Sequence, residues 1–191
     1  MPNFYQRSIE IIRQNQSPSG AYIASPNFPT YGYCWLRDSS YIAYSMSLAG
    51  EYGSAEAYFH WVHRTLERYG SKVDLLALNL SAGEKPGGDE FLHTRYTLDG
   101  EEVLGDHNWG NFQMDGYGTW LWALGEHFSL TSKSLLEAWE RAAGLAVLSA
   151  RFCCGSSSSH FPRSWKMRPS WMVAIPSCFT GISCCPIPNR L

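Results

Sequence analysis

From residue 4 onward, apolar side chains recur at helical spacing far more often than they alternate. Phe4, Tyr5, Ile9 and Ile12 share one face while Arg7, Glu10, Arg13 and Gln14 lie elsewhere, which predicts a helix. The breaker cluster Ser17-Pro18-Ser19-Gly20 stops it near Gln16. Residues 21–24 read as a short extended segment, and Pro26 and Pro29 keep the next loop non-helical. Tyr41, Ile42, Met46 and Leu48 start a second helix that Gly50 ends. Ser54 is placed to cap a third, whose stripe is Tyr58, Phe59, Val62, Leu66 and Tyr69. Residues 72–80 form a fourth. Gly83, Pro86, Gly87 and Gly88 impose a loop over 81–89, and residues 92–103 alternate loosely about Asp99-Gly100, a hairpin signal. A fifth helix carries the stripe Met114, Tyr117, Leu121, Leu124 and Phe128, with Gln113 and Asp115 in its first turn, and a sixth begins at Thr131 or Ser132 and runs through Leu135, Leu136, Trp139, Ala143 and Val147. The pattern is that of an all-α chain with short extended pieces in its loops.

Two runs interrupt this plain patterning. Tyr31-Gly32-Tyr33-Cys34-Trp35-Leu36-Arg37-Asp38-Ser39-Ser40-Tyr41 sets aromatic rings beside an Arg-Asp pair at a helix start. Aromatic faces cover the C–H faces of a sugar while a fixed ion pair hydrogen-bonds hydroxyls directionally. The same residues also fit an ion pair buried in an aromatic core. The second run, Gly105-Asp106-His107-Asn108-Trp109-Gly110-Asn111-Phe112-Gln113-Met114-Asp115-Gly116-Tyr117-Gly118, leads into the fifth helix, where an aspartate suits the helix dipole whatever else it does. Both runs follow long loops, which predicts that they gather at one end of the helical array.

Composition narrows the class. The chain has 8 Trp and 11 Tyr among 191 residues, more aromatic than usual, and a net charge of −2 supplies no basic face for nucleic acid. No apolar run approaches the length of a membrane span. The N-terminus lacks a basic start and an apolar stretch, so a cytoplasmic location is expected. No phosphate-cradling glycine loop or nucleophile elbow occurs, and no cofactor is expected. His60 and His63 lie on one side of the third helix without a third ligand nearby, so no metal site is expected.

The runs Ser19-Gly20-Ala21-Tyr22-Ile23-Ala24-Ser25-Pro26 and Tyr31-Gly32-Tyr33-Cys34-Trp35-Leu36-Arg37-Asp38-Ser39 resemble glycoside hydrolase family 15, the glucoamylase-like enzymes. Trp109-Gly110-Asn111-Phe112-Gln113-Met114-Asp115-Gly116 resembles the Trp-Gly-x-x-Gln-x-Asp-Gly block of that family, with Arg95-Tyr96 between the two in the place of a Lys/Arg-aromatic pair. The resemblance runs from about residue 8 to about residue 147. It implies an (α/α)6 toroid of which this chain is the N-terminal part, and inverting exo-hydrolysis releasing glucose from malto-oligosaccharides. By the same resemblance Arg37 and Asp38 hold the non-reducing terminal glucose, Tyr31 lies near the developing oxocarbenium ion and Trp35 walls that subsite. Trp109 flanks the catalytic acid, Gln113 and Asp115 support it, and Arg95 is a basic substrate contact. Other readings are a trehalose-type hydrolase, a non-catalytic module that binds terminal glucose, or a scaffold without ligand.

Inverting hydrolysis requires one carboxylic acid to protonate the leaving oxygen and one carboxylate to activate water. The chain offers no match for either beyond Glu140, in Glu137-Ala138-Trp139-Glu140, which sits mid-helix in an ordinary amphipathic pattern, so the catalytic acid and base are expected to be absent and the chain truncated and inactive. Composition also breaks near residue 150. All 17 acidic residues lie at or before Glu140, where 9 basic residues leave a charge of −8, and the remainder carries +6. Cys153, Cys154, Cys178, Cys184 and Cys185 are all in the same tail, against Cys34 alone before it. We therefore expect residues 1–150 to be the glucoamylase-like part and residues 151–191 to be an anomalous, frame-shifted tail not native to the fold. Its adjacent cysteines and His160 lack the usual zinc-ligand spacing.

Overall fold

The computed structural model describes residues 3–103 and 113–131 and the single residue 144. Trp109, Glu140, the expected sixth helix apart from residue 144 and Thr131, which instead ends the fifth helix, and residues 151–191 therefore lie outside the described residues. Within them, five helices carry the fold: α1 Phe4–Gln14, α2 Leu36–Leu48, α3 Tyr52–Arg68, α4 Gly70–Ser81 and α5 Met114–Thr131. Two short strands, β1 Cys34–Trp35 and β2 Arg95–Tyr96, pair antiparallel with Cys34 opposite Tyr96 and Trp35 opposite Arg95. The architecture is all-α, as the patterning predicts.

Asn3 caps α1, its side-chain oxygen accepting from the Gln6 amide at 2.9 Å, which satisfies one of the orphan donors of a helix start. After the breaker cluster, Gly20 takes φ of +102°, and a Cβ there would lie 2.3 Å from the Ala57 carbonyl oxygen. Only glycine fits such an approach in that conformation. The Gln16 side chain fastens this corner to α3, donating to the Ser54 carbonyl at 2.9 Å and accepting from the Ser54 hydroxyl at 2.7 Å.

α2 packs most extensively against α5 and then against α3. Leu36, Met46, Tyr58, Phe59, Leu66, Tyr117 and Trp120 are the bulk of the buried core at this junction. Gly116 lets the start of α5 come close to the start of α2: a Cβ at Gly116 would lie 3.4 Å from Leu36 Cβ and 3.5 Å from the Arg37 nitrogen. Behind it, Tyr117 donates to the His93 carbonyl, and its hydroxyl lies 3.0 Å from that of Tyr96. The segment carrying β2 is thereby tied to α5.

The structure departs from the sequence pattern in four places. Phe4 is 94% exposed, and α1 meets the core through Ile9 and Ile12 instead. α2 begins at Leu36, five residues before Tyr41, and leaves Tyr41 and Leu48 exposed. Its buried face holds Ser39, Ser40 and Ser47, small side chains that permit close packing because each hydroxyl finds a carbonyl: Tyr22 at 2.9 Å, Leu36 at 2.6 Å and Ala43 at 3.0 Å. Third, Ser54 lies inside α3, which starts at Tyr52, its hydroxyl being committed to Gln16. Finally, Met114 is exposed and Gln113 precedes α5, whose buried face instead includes Trp120 and His127. The Asp99-Gly100 turn is present, Gly100 taking φ of +82° and donating to the Thr97 carbonyl at 2.9 Å, yet the main partner of β2 is β1.

Candidate functional site

The first turns of α2 and α5 converge, each with an aspartate: Asp38 in one and Asp115 in the other. Acidic groups are favourable at both ends, where the helix dipole is positive. Between them stands Arg37. Its Nη1 donates to Asp115 Oδ2 at 2.8 Å and its Nη2 to Asp38 Oδ2 at 3.3 Å. The other Asp115 oxygen accepts from the Gly116 amide at 2.8 Å, so the carboxylate is fixed from two sides. The hydrogen bond to Asp115, with smaller help from the Asp38 and Asp115 charges, raises the Arg37 pKa above its ordinary value against the effect of burial.

The side chains of Arg37, Asp38 and Asp115 are 41%, 44% and 53% exposed. This decides against an ion pair buried in the core. Exposed pairs contribute only about 0–1 kcal/mol to stability, so the cluster does little to hold α2 against α5. What it does provide is a charged donor, oriented by two carboxylates and open to solvent, the arrangement that directs hydrogen bonds to neutral hydroxyls.

Aromatic groups flank it through the β1–β2 ribbon. Trp35 immediately precedes α2, and Tyr31 lies against it with ring centroids 6.2 Å apart. Tyr31, in a turn of 3-10 helix over Pro29–Tyr31, is exposed, whereas Trp35 is only 4% exposed. Arg95 is 5% exposed, and its guanidinium carbon lies 5.0 Å from the Tyr33 ring centroid and 5.2 Å from that of Trp35. The Leu36 amide donates to the Thr94 carbonyl at 3.3 Å, and the Thr94 hydroxyl donates to Gln113 Oε1 at 3.2 Å, which joins the ribbon to the residue before α5.

Seven of the eight residues singled out by resemblance thus fall in one connected group: Tyr31, Trp35, Arg37, Asp38, Arg95, Gln113 and Asp115. Trp109 lies outside the described residues. Tyr33, Thr94 and Gly116 join the group without having been singled out as site residues. Tyr33 stands within the first aromatic run, and Gly116 within the second block. Helical period does not mark Thr94, because its part comes from hydrogen bonds with Leu36 and Gln113, 58 and 19 positions away. Among the described residues no group of three or more His, Cys, Asp or Glu side chains is placed to hold a metal ion, and no helix is long and apolar enough to cross a membrane.

Comparison with known proteins gives this geometry a family. The sequence model described as "Glycosyl hydrolases family 15" matches residues 2–142. The chain belongs to glycosyl hydrolase family 15. The family 15 match bears out the resemblance read from the two blocks, and it ends before the compositional break. An isomaltose glucohydrolase of Kribbella flavida is 38% identical over 143 residues, which are 74% of this chain and 36% of that protein. Among solved structures, a glycosidase variant in complex with glucose matches with 38% identity and a TM-score of 0.70, over 76% of this chain and 38% of that one. The wild-type form of a glycosidase matches with 38% identity and a TM-score of 0.69 over the same shares. This family 15 chain therefore spans little more than a third of the length of the relatives it matches, and the five helices among its described residues are part of a family 15 helical toroid.

Proposed function

We propose that this chain holds the non-reducing terminal glucose of an α-linked gluco-oligosaccharide for inverting hydrolysis. The observation that carries this reading is the Arg37 guanidinium, bridged to Asp38 and Asp115 yet 41% exposed, in the same turn of chain as Trp35, against whose ring Tyr31 lies. In this reading Arg37 and Asp38 hydrogen-bond the hydroxyls of the terminal sugar. Tyr31 covers one of its C–H faces, and Gln113 and Asp115 hold the wall from which the proton donor works. Family membership supports the reaction class, and the glucose-bound glycosidase supports glucose as the group held.

The resemblance suggests malto-oligosaccharides, whereas the name of the 38% identical relative supports isomaltose, a disaccharide of the same glucose unit in a different linkage. A subsite built around the terminal sugar serves either. The reading gives this chain the binding part of the reaction; neither the proton donor nor the water-activating carboxylate is assigned to one of its residues, and hydrolysis needs both.

The test is calorimetric titration of the chain with glucose, isomaltose, maltotriose and trehalose, alongside a glucose-release assay. Binding of glucose and of at least one α-glucoside, lost in Arg37→Ala, is the expected result. A folded chain that binds none of the four sugars refutes it. Binding without release identifies a module that holds the sugar, and release identifies a working hydrolase.

A further inference from the structure

By resemblance Arg95 is a basic substrate contact, but its surroundings in the fold point to a different task. At 5% exposed it offers ligand almost no surface, while Arg37, a few residues from its strand partner Trp35, offers a great deal. Its guanidinium carbon is within 5.2 Å of the ring centroids of both Tyr33 and Trp35. A cation so placed is attracted by the negative face of each ring, more strongly when water is excluded. The backbone around it is equally committed: Arg95 is the register partner of Trp35, and the neighbouring Thr94 carbonyl accepts from Leu36 at the start of α2. On the far side the Tyr96 and Tyr117 hydroxyls meet at 3.0 Å.

We propose that Arg95 is a positioning residue that sets the orientation of the Trp35 ring, and through it that of the exposed Tyr31, by holding its planar cation against Trp35 and Tyr33. The aromatic side of the site is then fixed from beneath by a charge that the sugar never meets. Arg37 and Arg95 have opposite arrangements. Arg37 is oriented by carboxylates and left open, whereas Arg95 is covered and orients others. The inference takes its ligand from the terminal-glucose reading above.

The experiment compares Arg95→Lys, Arg95→Met and Arg37→Ala with the unaltered 191-residue chain, reading glucose affinity by calorimetry and the tryptophan and tyrosine bands by near-ultraviolet circular dichroism. Arg95→Met is expected to weaken glucose binding about tenfold and to change the near-ultraviolet bands, because the cation–ring attraction is gone. Arg95→Lys keeps a cation near the rings but not the planar guanidinium, so it restores affinity only in part, to within about threefold of the unaltered chain. Arg37→Ala removes binding while leaving the bands unchanged. A folded Arg95→Met protein with unchanged affinity and bands overturns the proposal. So does loss of binding in both Arg95 variants with unchanged bands, which makes Arg95 a direct contact. If the unaltered chain binds no glucose, the terminal-glucose reading fails and the bands alone decide: a change in Arg95→Met that Arg95→Lys reverses upholds the positioning role. If Arg95→Met does not fold, Tyr33→Leu replaces it, removing one face and leaving the cation, with the same shifts in affinity and bands expected.

Discussion

Gly116 is the position at which packing and the site are most directly coupled. The Cβ of an alanine there would sit 3.4 Å from Leu36 Cβ and 3.5 Å from the Arg37 nitrogen, ordinary contact distances that need no movement. Valine adds two carbons about 1.5 Å beyond that Cβ, which brings at least one of them into overlap with Leu36 or the Arg37 backbone. The start of α5 then shifts by about 1 Å, and overpacking of this kind costs about 1–3 kcal/mol. At about 2–4 °C per kcal/mol for a domain of this size, Gly116→Val melts roughly 2–12 °C below the unaltered chain. Gly116→Ala melts at the same temperature or slightly higher, since alanine improves helix propensity by up to about 1 kcal/mol. The same shift carries Asp115 away from Arg37, whose present separation is 2.8 Å, and an added 1 Å leaves no hydrogen bond. Hydrogen bonds to charged groups contribute about 1.5–3 kcal/mol, so a misdirected Arg37 weakens glucose binding by about tenfold or more. Thermal unfolding by circular dichroism and calorimetric titration of the two variants make the comparison. A Gly116→Val protein that melts with Gly116→Ala, or that is destabilised yet binds glucose unchanged, refutes this coupling.

Three further outcomes are expected. Gly20→Ala places a Cβ 2.3 Å from the Ala57 carbonyl oxygen at φ of +102°; left-handed strain of about 1–2 kcal/mol and overpacking of about 1–3 kcal/mol together lower stability by roughly 2–5 kcal/mol in denaturant unfolding. Asp115→Asn keeps the shape of the contact with Arg37 but removes the charge, so stability changes by no more than about 1 kcal/mol while glucose affinity falls; equal loss of both in the same titrations assigns the pair a structural role. Burial pushes the His93 imidazole below the ordinary histidine pKa, although Glu102 at 3.8 Å opposes the shift. The unfolded chain therefore binds more protons than the folded one just below about pH 6.5, so stability rises with pH through that window and is lost as pH falls from about 6.5 towards the folded pKa. Unfolding midpoints of the chain and of His93→Gln between pH 5 and 8 show the slope and its reduction.

Helix existence was legible from the chain because large residues such as Tyr58, Phe59, Val62 and Leu66 repeat at the helical period and are buried together in α3. The faces of α2 and α5 were less legible. Period reading assigns large apolar residues to the interior, yet α2 turns Ser39, Ser40 and Ser47 inward because helical and neighbouring carbonyls satisfy their hydroxyls. In α5 it passes over His127, which is buried because its Nδ1 lies 2.8 Å from the Ser47 hydroxyl. The site residues were named by the two motif blocks, and their convergence was foreseeable from polar runs at helix starts. Which arginine faces solvent was not foreseeable. Arg37 and Arg95 are chemically identical in sequence, and only the pairing of Trp35 with Arg95 separates the open cation from the covered one.

The contact between Arg37 and Asp115 joins residues 78 positions apart. At a synthesis rate of about 5–20 residues per second, some 4–16 s separate the emergence of the arginine from that of its carboxylate partner. Trp35 waits nearly as long for Arg95. α2 and α3, neighbours in the chain, have their mutual contacts available early, while the group around Arg37 is assembled only when the start of α5 has been translated. In the order of biosynthesis the scaffold precedes the site, and a growing chain carries an aromatic cluster whose organising charges have not yet arrived.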